Sequence, residues 1–150
     1  MALQDSIQRA SRSLAFLTID RGDQPAGIGS AVVVGGAGEL ATAAHLVRDA
    51  QRIDVQLLGS GKAAPCRVLA TDAAADVALI KAEGLRDLAP MPLWRGEPVA
   101  VGKEVACMGF PHADILPTPL VMSMRGMVGN RYRLGDADYY VLDLNASEGM

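Results

Sequence analysis

The chain has 150 residues, half of them apolar, and a formal charge of −3 with acidic and basic residues interspersed; that length fits one ordinary domain or two very small halves. The absence of a Lys/Arg run or basic stripe argues against nucleic acid as a partner, and no apolar stretch approaches the ~18 residues of a membrane span. The N-terminal MALQDSIQRASRSLAFLTID lacks the compact apolar segment of a secretory leader, so the expected location is the cytoplasm.

In chain order, Gln4–Ser13 reads as one amphipathic helix with Ile7, Ala10 and Leu14 on one side. The helical period then disappears. Strands are expected near Leu14–Asp20, Ile28–Val34, Glu39–Thr42, Ile53–Leu58, Cys66–Thr71 and Val77–Lys81. Arg-Gly-Asp-Gln-Pro, Gly-Gly-Ala-Gly, Gly-Ser-Gly-Lys and Asp72–Ala75 punctuate them. Six short strands at roughly even spacing predict a small closed barrel over residues 14–86, after a lead-in at 1–13. Asp87–Pro98 is the expected crossover to a second half, 99–150. There, strands are expected near Glu104–Phe110, Leu120–Asn130 and Tyr139–Leu144. Three strands make only half a barrel, with an unpaired edge. The fold class is therefore all-β, with a complete first barrel and an incomplete second.

Cys66 and Cys107 each sit in a strand-like apolar run, which favours buried thiols over a disulfide. Two Cys and two His, all far apart, give no metal-ligand spacing. Met122, Met124 and Met127 read as core filling, and His112 as an exposed loop residue. Val32–Ala41 (VVVGGAGELA) offers a rival motif, a strand followed by a Gly-rich turn as in dinucleotide binding. That reading needs a helix after Glu39 and a carboxylate at the end of the next strand. The run there is Gln56-Leu57-Leu58-Gly59-Ser60-Gly61, with no acid.

The chemistry lies elsewhere. Serine-dependent peptide hydrolysis needs a base beside the hydroxyl, a carboxylate to fix the tautomer of that base, and N–H donors for the oxyanion. His45 follows a predicted strand in Ala41-Thr42-Ala43-Ala44-His45, where small neighbours let an imidazole face a cleft. Asp76 opens the Val77–Lys81 strand, and the residues between hold about two strands, a plausible path back to His45.

These residues resemble the chymotrypsin-fold (trypsin-like) serine proteases, nearest the bacterial HtrA/Deg branch. The resemblance runs from Gly27-Ile28-Gly29-Ser30-Ala31-Val32-Val33 through Thr42–Val47, Ala75–Lys81 and Val105–Pro111 (VACMGFP) to Leu142-Asp143-Leu144-Asn145 and Glu148-Gly149-Met150. It implies two Greek-key barrels and a serine endopeptidase acting through an acyl-enzyme on peptide or protein substrates, with no metal or organic cofactor. It implies that His45 is the general base, that Asp76 orients it, that Gly149 gives an oxyanion-hole N–H, and that Asn145 lines the wall of the S1 pocket. The nucleophile is expected two places beyond Gly149, so these residues alone are expected to be inactive. Ser147 stands four places too early and lacks the following Gly-Gly. Without a Cys after His45 or an Ile-Val-Gly-Gly start, the pattern favours a bacterial-type enzyme not activated by zymogen cleavage. The alternative is a non-catalytic relative that binds peptides or a protein partner in the same cleft. Oligomeric state has no sequence signature here.

Overall fold

Helix α1 (Leu3–Ser11) opens the computed structural model, which describes residues 2–58, 60–111 and 119–144. The helix ends in a tight turn, in which the Arg12 and Ser13 N–H groups bond the carbonyls of Arg9 and Ala10. Ser13 is buried, and its Oγ donates to the Ala89 carbonyl at 2.7 Å, so the polar group is satisfied.

Strands β1 (Leu14–Asp20), β2 (Gly27–Val33) and β3 (Glu39–Thr42) follow, then a one-turn helix α2 (Ala44–Val47), then β4 (Arg52–Leu57), β5 (Ala63–Asp72) and β6 (Val77–Ala82). The six strands close into an antiparallel barrel in the order β1-β2-β3-β6-β5-β4, sealed by β4 pairing with β1. Period-two alternation puts one side chain in two inside. Leu17 and Ile19, Ala31 and Val33, Leu40, Val55 and Ile80 fill the interior and are almost wholly buried. The Gly-rich turn at 35–38 joins two strands of this barrel, and Glu39–Thr42 is β3. A dinucleotide-binding turn would need a helix there, so that rival is excluded.

Between β6 and β7 (Glu104–Gly109) the chain carries no helix or strand. It is strapped to the end of the first barrel by the Ser13–Ala89 bond and by the Met91 N–H donating to the Val33 carbonyl at 2.8 Å. Strands β7, β8 (Met122–Leu134) and β9 (Ala137–Asp143) form a second antiparallel sheet in that order. The two units meet where Phe110, fully buried, sets its ring edge-on to Phe16 of β1 with centroids 5.6 Å apart. The Phe110 N–H donates to Ser30 Oγ at 3.3 Å.

Two expectations are corrected. Met122 and Met127 are exposed and Met124 is half-buried, so among the described residues these methionines lie on the surface of the β7–β9 sheet rather than in a core. Cys66 and Cys107 are free thiols, half-buried rather than buried. Burial first, then the Asp54 and Glu83 carboxylates, pushes the Cys66 thiol up to about 12.

Candidate active site

The end of the β3–β6 ladder places the candidate site. In that antiparallel pair Leu40 faces Ile80 and Thr42 faces Ala78. Continued past the last pair, the register brings Ala44 opposite Asp76, and the Ala44 N–H donates to the Asp76 carbonyl at 3.2 Å. Strands β4 and β5 carry the chain out and back between the two. The long β5 changes partner on the way: Ala63–Cys66 pair with β4, and Cys66–Asp72 with β6 across a bulge between Val68 and Ala70. The Ala-rich turn that follows delivers Asp76 beside α2.

His45 is the second residue of α2. Asp76 Oδ1 accepts the His45 backbone N–H at 2.8 Å, and Oδ2 lies 2.6 Å from Nδ1 of the same residue. An ionised carboxylate can only accept, so Nδ1 carries its proton toward Asp76, and in the neutral imidazole the lone pair is then on Nε2. These hydrogen bonds, the side-chain one first and the backbone one second, hold the Asp76 carboxyl below its ordinary value. The side chains are 61% and 47% exposed. An ion pair so open to water contributes little to stability, so fold stability does not account for its close geometry. Asp76 also has φ +55°, an uncommon conformation for a residue with a Cβ. Asp49 and Asp87 share it, which makes the conformation supporting rather than deciding.

Of the residues named from sequence, His45 and Asp76 are brought into contact. Asn145 and Gly149 lie outside the described residues, as do His112 and Ser147. Two neighbours of the site carry no sequence motif. The Tyr139 hydroxyl of β9 donates to the Ala74 carbonyl at 3.4 Å, two residues before Asp76, so the second sheet touches the turn that carries the carboxylate. Arg21 reaches the far end of α2 from the β1–β2 hairpin, with its Nη2–H on the Leu46 carbonyl at 2.6 Å. Only an interaction partner distant in sequence reveals either role. Among the described residues no cluster of three or more His, Cys, Asp or Glu could hold a metal ion. No helix among them is long and apolar enough to cross a membrane.

Comparison with known proteins agrees with this fold. The family model described as a trypsin-like peptidase domain matches residues 29–150. The chain is similar to the mitochondrial serine protease HTRA2 of Bos taurus, at 37% identity over 89 residues, covering 59% of this chain and 19% of that protein. Two solved structures share the fold: the HtrA-type protease AlgW with tripeptide, and a variant of it with tripeptide. For the variant the TM-score is 0.79 at 22% identity, covering 93% of this chain and 45% of the other. For AlgW the TM-score is 0.76 at 23% identity, with 91% and 42% covered. The chain thus spans about a fifth of the relative and under half of each structure.

Proposed function

We propose that this chain, which belongs to the trypsin-like peptidase domain family, supplies the general base and the orienting carboxylate of a serine endopeptidase. The observation that carries the reading is the 2.6 Å approach of Asp76 Oδ2 to His45 Nδ1, with the other carboxylate oxygen tied to the backbone of the same histidine. Held this way, Nε2 is free to take the proton of a serine hydroxyl as the hydroxyl attacks a peptide carbonyl. The imidazolium that forms is stabilised by Asp76, then returns its proton to the leaving amine. In this division of labour residues 14–86 carry the base and carboxylate. Residues 99–150, reached by the crossover at 87–98, lead to the nucleophile loop, where the Gly149 N–H would donate to the oxyanion and Asn145 would line the S1 pocket. A neutral Asn145 in that wall disfavours a strong preference for Lys or Arg. No nucleophile stands two places beyond Gly149 within these 150 residues. The isolated 150-residue polypeptide is accordingly expected to hydrolyse no peptide.

The test is a fluorogenic peptide panel with the full-length protein and its His45→Ala variant. Acyl-enzyme hydrolysis that collapses in the variant supports the reading. Hydrolysis indifferent to His45, or peptide binding with no hydrolysis in the unmodified protein, overturns it; the second result would make the domain a peptide-binding module.

A further inference from the structure

We propose that Arg21 is a positioning residue for His45, acting by fixing the C-terminal end of α2. The proposal rests on the reading of His45 as the general base. A helix of one turn leaves almost all its terminal groups without partners inside itself and is unstable in isolation. The direction in which α2 points its histidine must therefore be set by groups outside it.

At the N-terminal end those groups belong to Asp76, whose carbonyl and Oδ1 accept the N–H groups of Ala44 and His45. At the C-terminal end they belong to Arg21. Its Nη2–H donates to the Leu46 carbonyl at 2.6 Å and its Nε–H to the Arg48 carbonyl at 3.1 Å. The guanidinium is a rigid planar fork, so one side chain fixes two carbonyls in a single relative geometry. Its charge also complements the negative end of the peptide dipoles. Space for this clamp comes from two glycines of β2. A Cβ at Gly27 would stand 2.9 Å from Arg21 Nη1, and one at Gly29 would stand 2.5 Å from Leu46 Cδ1. Leu46, in turn, packs against the barrel core. His45 thus sits between an end held by Asp76 and an end held by Arg21. Releasing the second lets the turn rotate, which swings the imidazole away from the Asp76 carboxylate.

The experiment uses the full-length protein with Arg21→Ala and Arg21→Lys. The first readout needs no substrate: the far-downfield proton resonance of His45 Nδ1–H, which depends on the bond to Asp76. It is expected to fade in Arg21→Ala and to survive in part in Arg21→Lys, whose ammonium lacks the two-carbonyl fork. Millimolar ethylguanidinium should restore it in Arg21→Ala, whereas ethylammonium should not. The second readout is peptide hydrolysis, where kcat is expected to fall by up to about 10²-fold in Arg21→Ala with KM unchanged, the penalty of a small misplacement. An unchanged resonance and kcat in folded variants, with only a lower unfolding midpoint, would make Arg21 merely structural and overturn the proposal. If Arg21→Ala does not fold, Arg21→Lys decides on the same two readouts. If the resonance responds as expected but the unmodified protein hydrolyses nothing, the positioning role stands and the endopeptidase reading falls.

Discussion

Asp76 receives two hydrogen bonds from one histidine, and that doubling sets what a substitution there should do. A carboxylate has two acceptor oxygens, and an amide has one. In Asp76→Asn either the His45 backbone N–H or its Nδ1–H must face an NH₂ group, so the backbone anchor is lost or the imidazole changes tautomer. Asn tolerates the left-handed backbone that Asp76 adopts, so the variant should fold. Under the proposed mechanism its kcat in the full-length protein is expected to drop by about 10⁴-fold with KM little changed, the penalty of the wrong tautomer in such triads; steady-state kinetics on the panel would check this. The same bonds give a pH dependence. The folded Asp76 carboxyl lies below its ordinary value of 3.8 because of the His45 hydrogen bonds, so the folded state binds this proton less readily than the unfolded chain. Its contribution to stability is complete above that ordinary value and is lost as pH falls through the depressed one. The gap in melting temperature between unmodified protein and Asp76→Asn, small because the pair is open to water, should therefore hold steady above that ordinary value and close only as pH falls below it, as calorimetry would show.

At the scale of elements, the strands were legible because most are short runs rich in apolar residues bounded by turn residues. β1 and β3 fall where the pattern puts them, at Leu14–Asp20 and Glu39–Thr42, and most other ends move by a residue or two. The larger misses have local causes. β5 begins at Ala63 rather than Cys66, because Ala63–Pro65 gain their strand character from pairing with β4 rather than from their own propensity. β8 runs on to Leu134 because pairing with β9 continues past a bulge at Val128/Asn130 that the pattern does not announce. α2 has only four residues, too few for any periodicity, and depends on Asp76 and Arg21. The turn between β2 and β3 shows how tightly an element can be constrained. Gly38 has φ +105°, and a Cβ there would stand 2.8 Å from the Ala82 carbonyl of β6, whose own N–H donates to the Gly38 carbonyl. Gly38→Ala is expected to cost about 1–3 kcal/mol, seen as a lower urea midpoint at unchanged slope.

For the molecule as a whole, a closed barrel and a partial second sheet are joined through Phe110. Its buried ring lies against Phe16, and its N–H bonds Ser30 Oγ in β2. Ser30 also offers its carbonyl to the Thr42 hydroxyl, at the end of the strand that leads to α2. Phe110→Ala is expected to destabilise by about 3–5 kcal/mol through the lost contacts and the cavity left behind, measured by chemical denaturation. The sequence by itself determined most of the strands and the all-β class, and it singled out His45 and Asp76 as the candidate pair, because short apolar runs and turn chemistry are local and the two residues sit in recognisable neighbourhoods. It also determined that the two belong together, through the order and spacing of the motifs. Only the tertiary structure decided how they meet: which carboxylate oxygen takes the backbone and which takes the ring, that Asp76 adopts a left-handed backbone, and that Arg21 closes the far end of the turn. Those facts arise where β3 and β6 run out of register partners and the backbone N–H and carbonyl groups beyond the ladder must find partners elsewhere, a requirement set by packing in three dimensions and carried by no stretch of sequence.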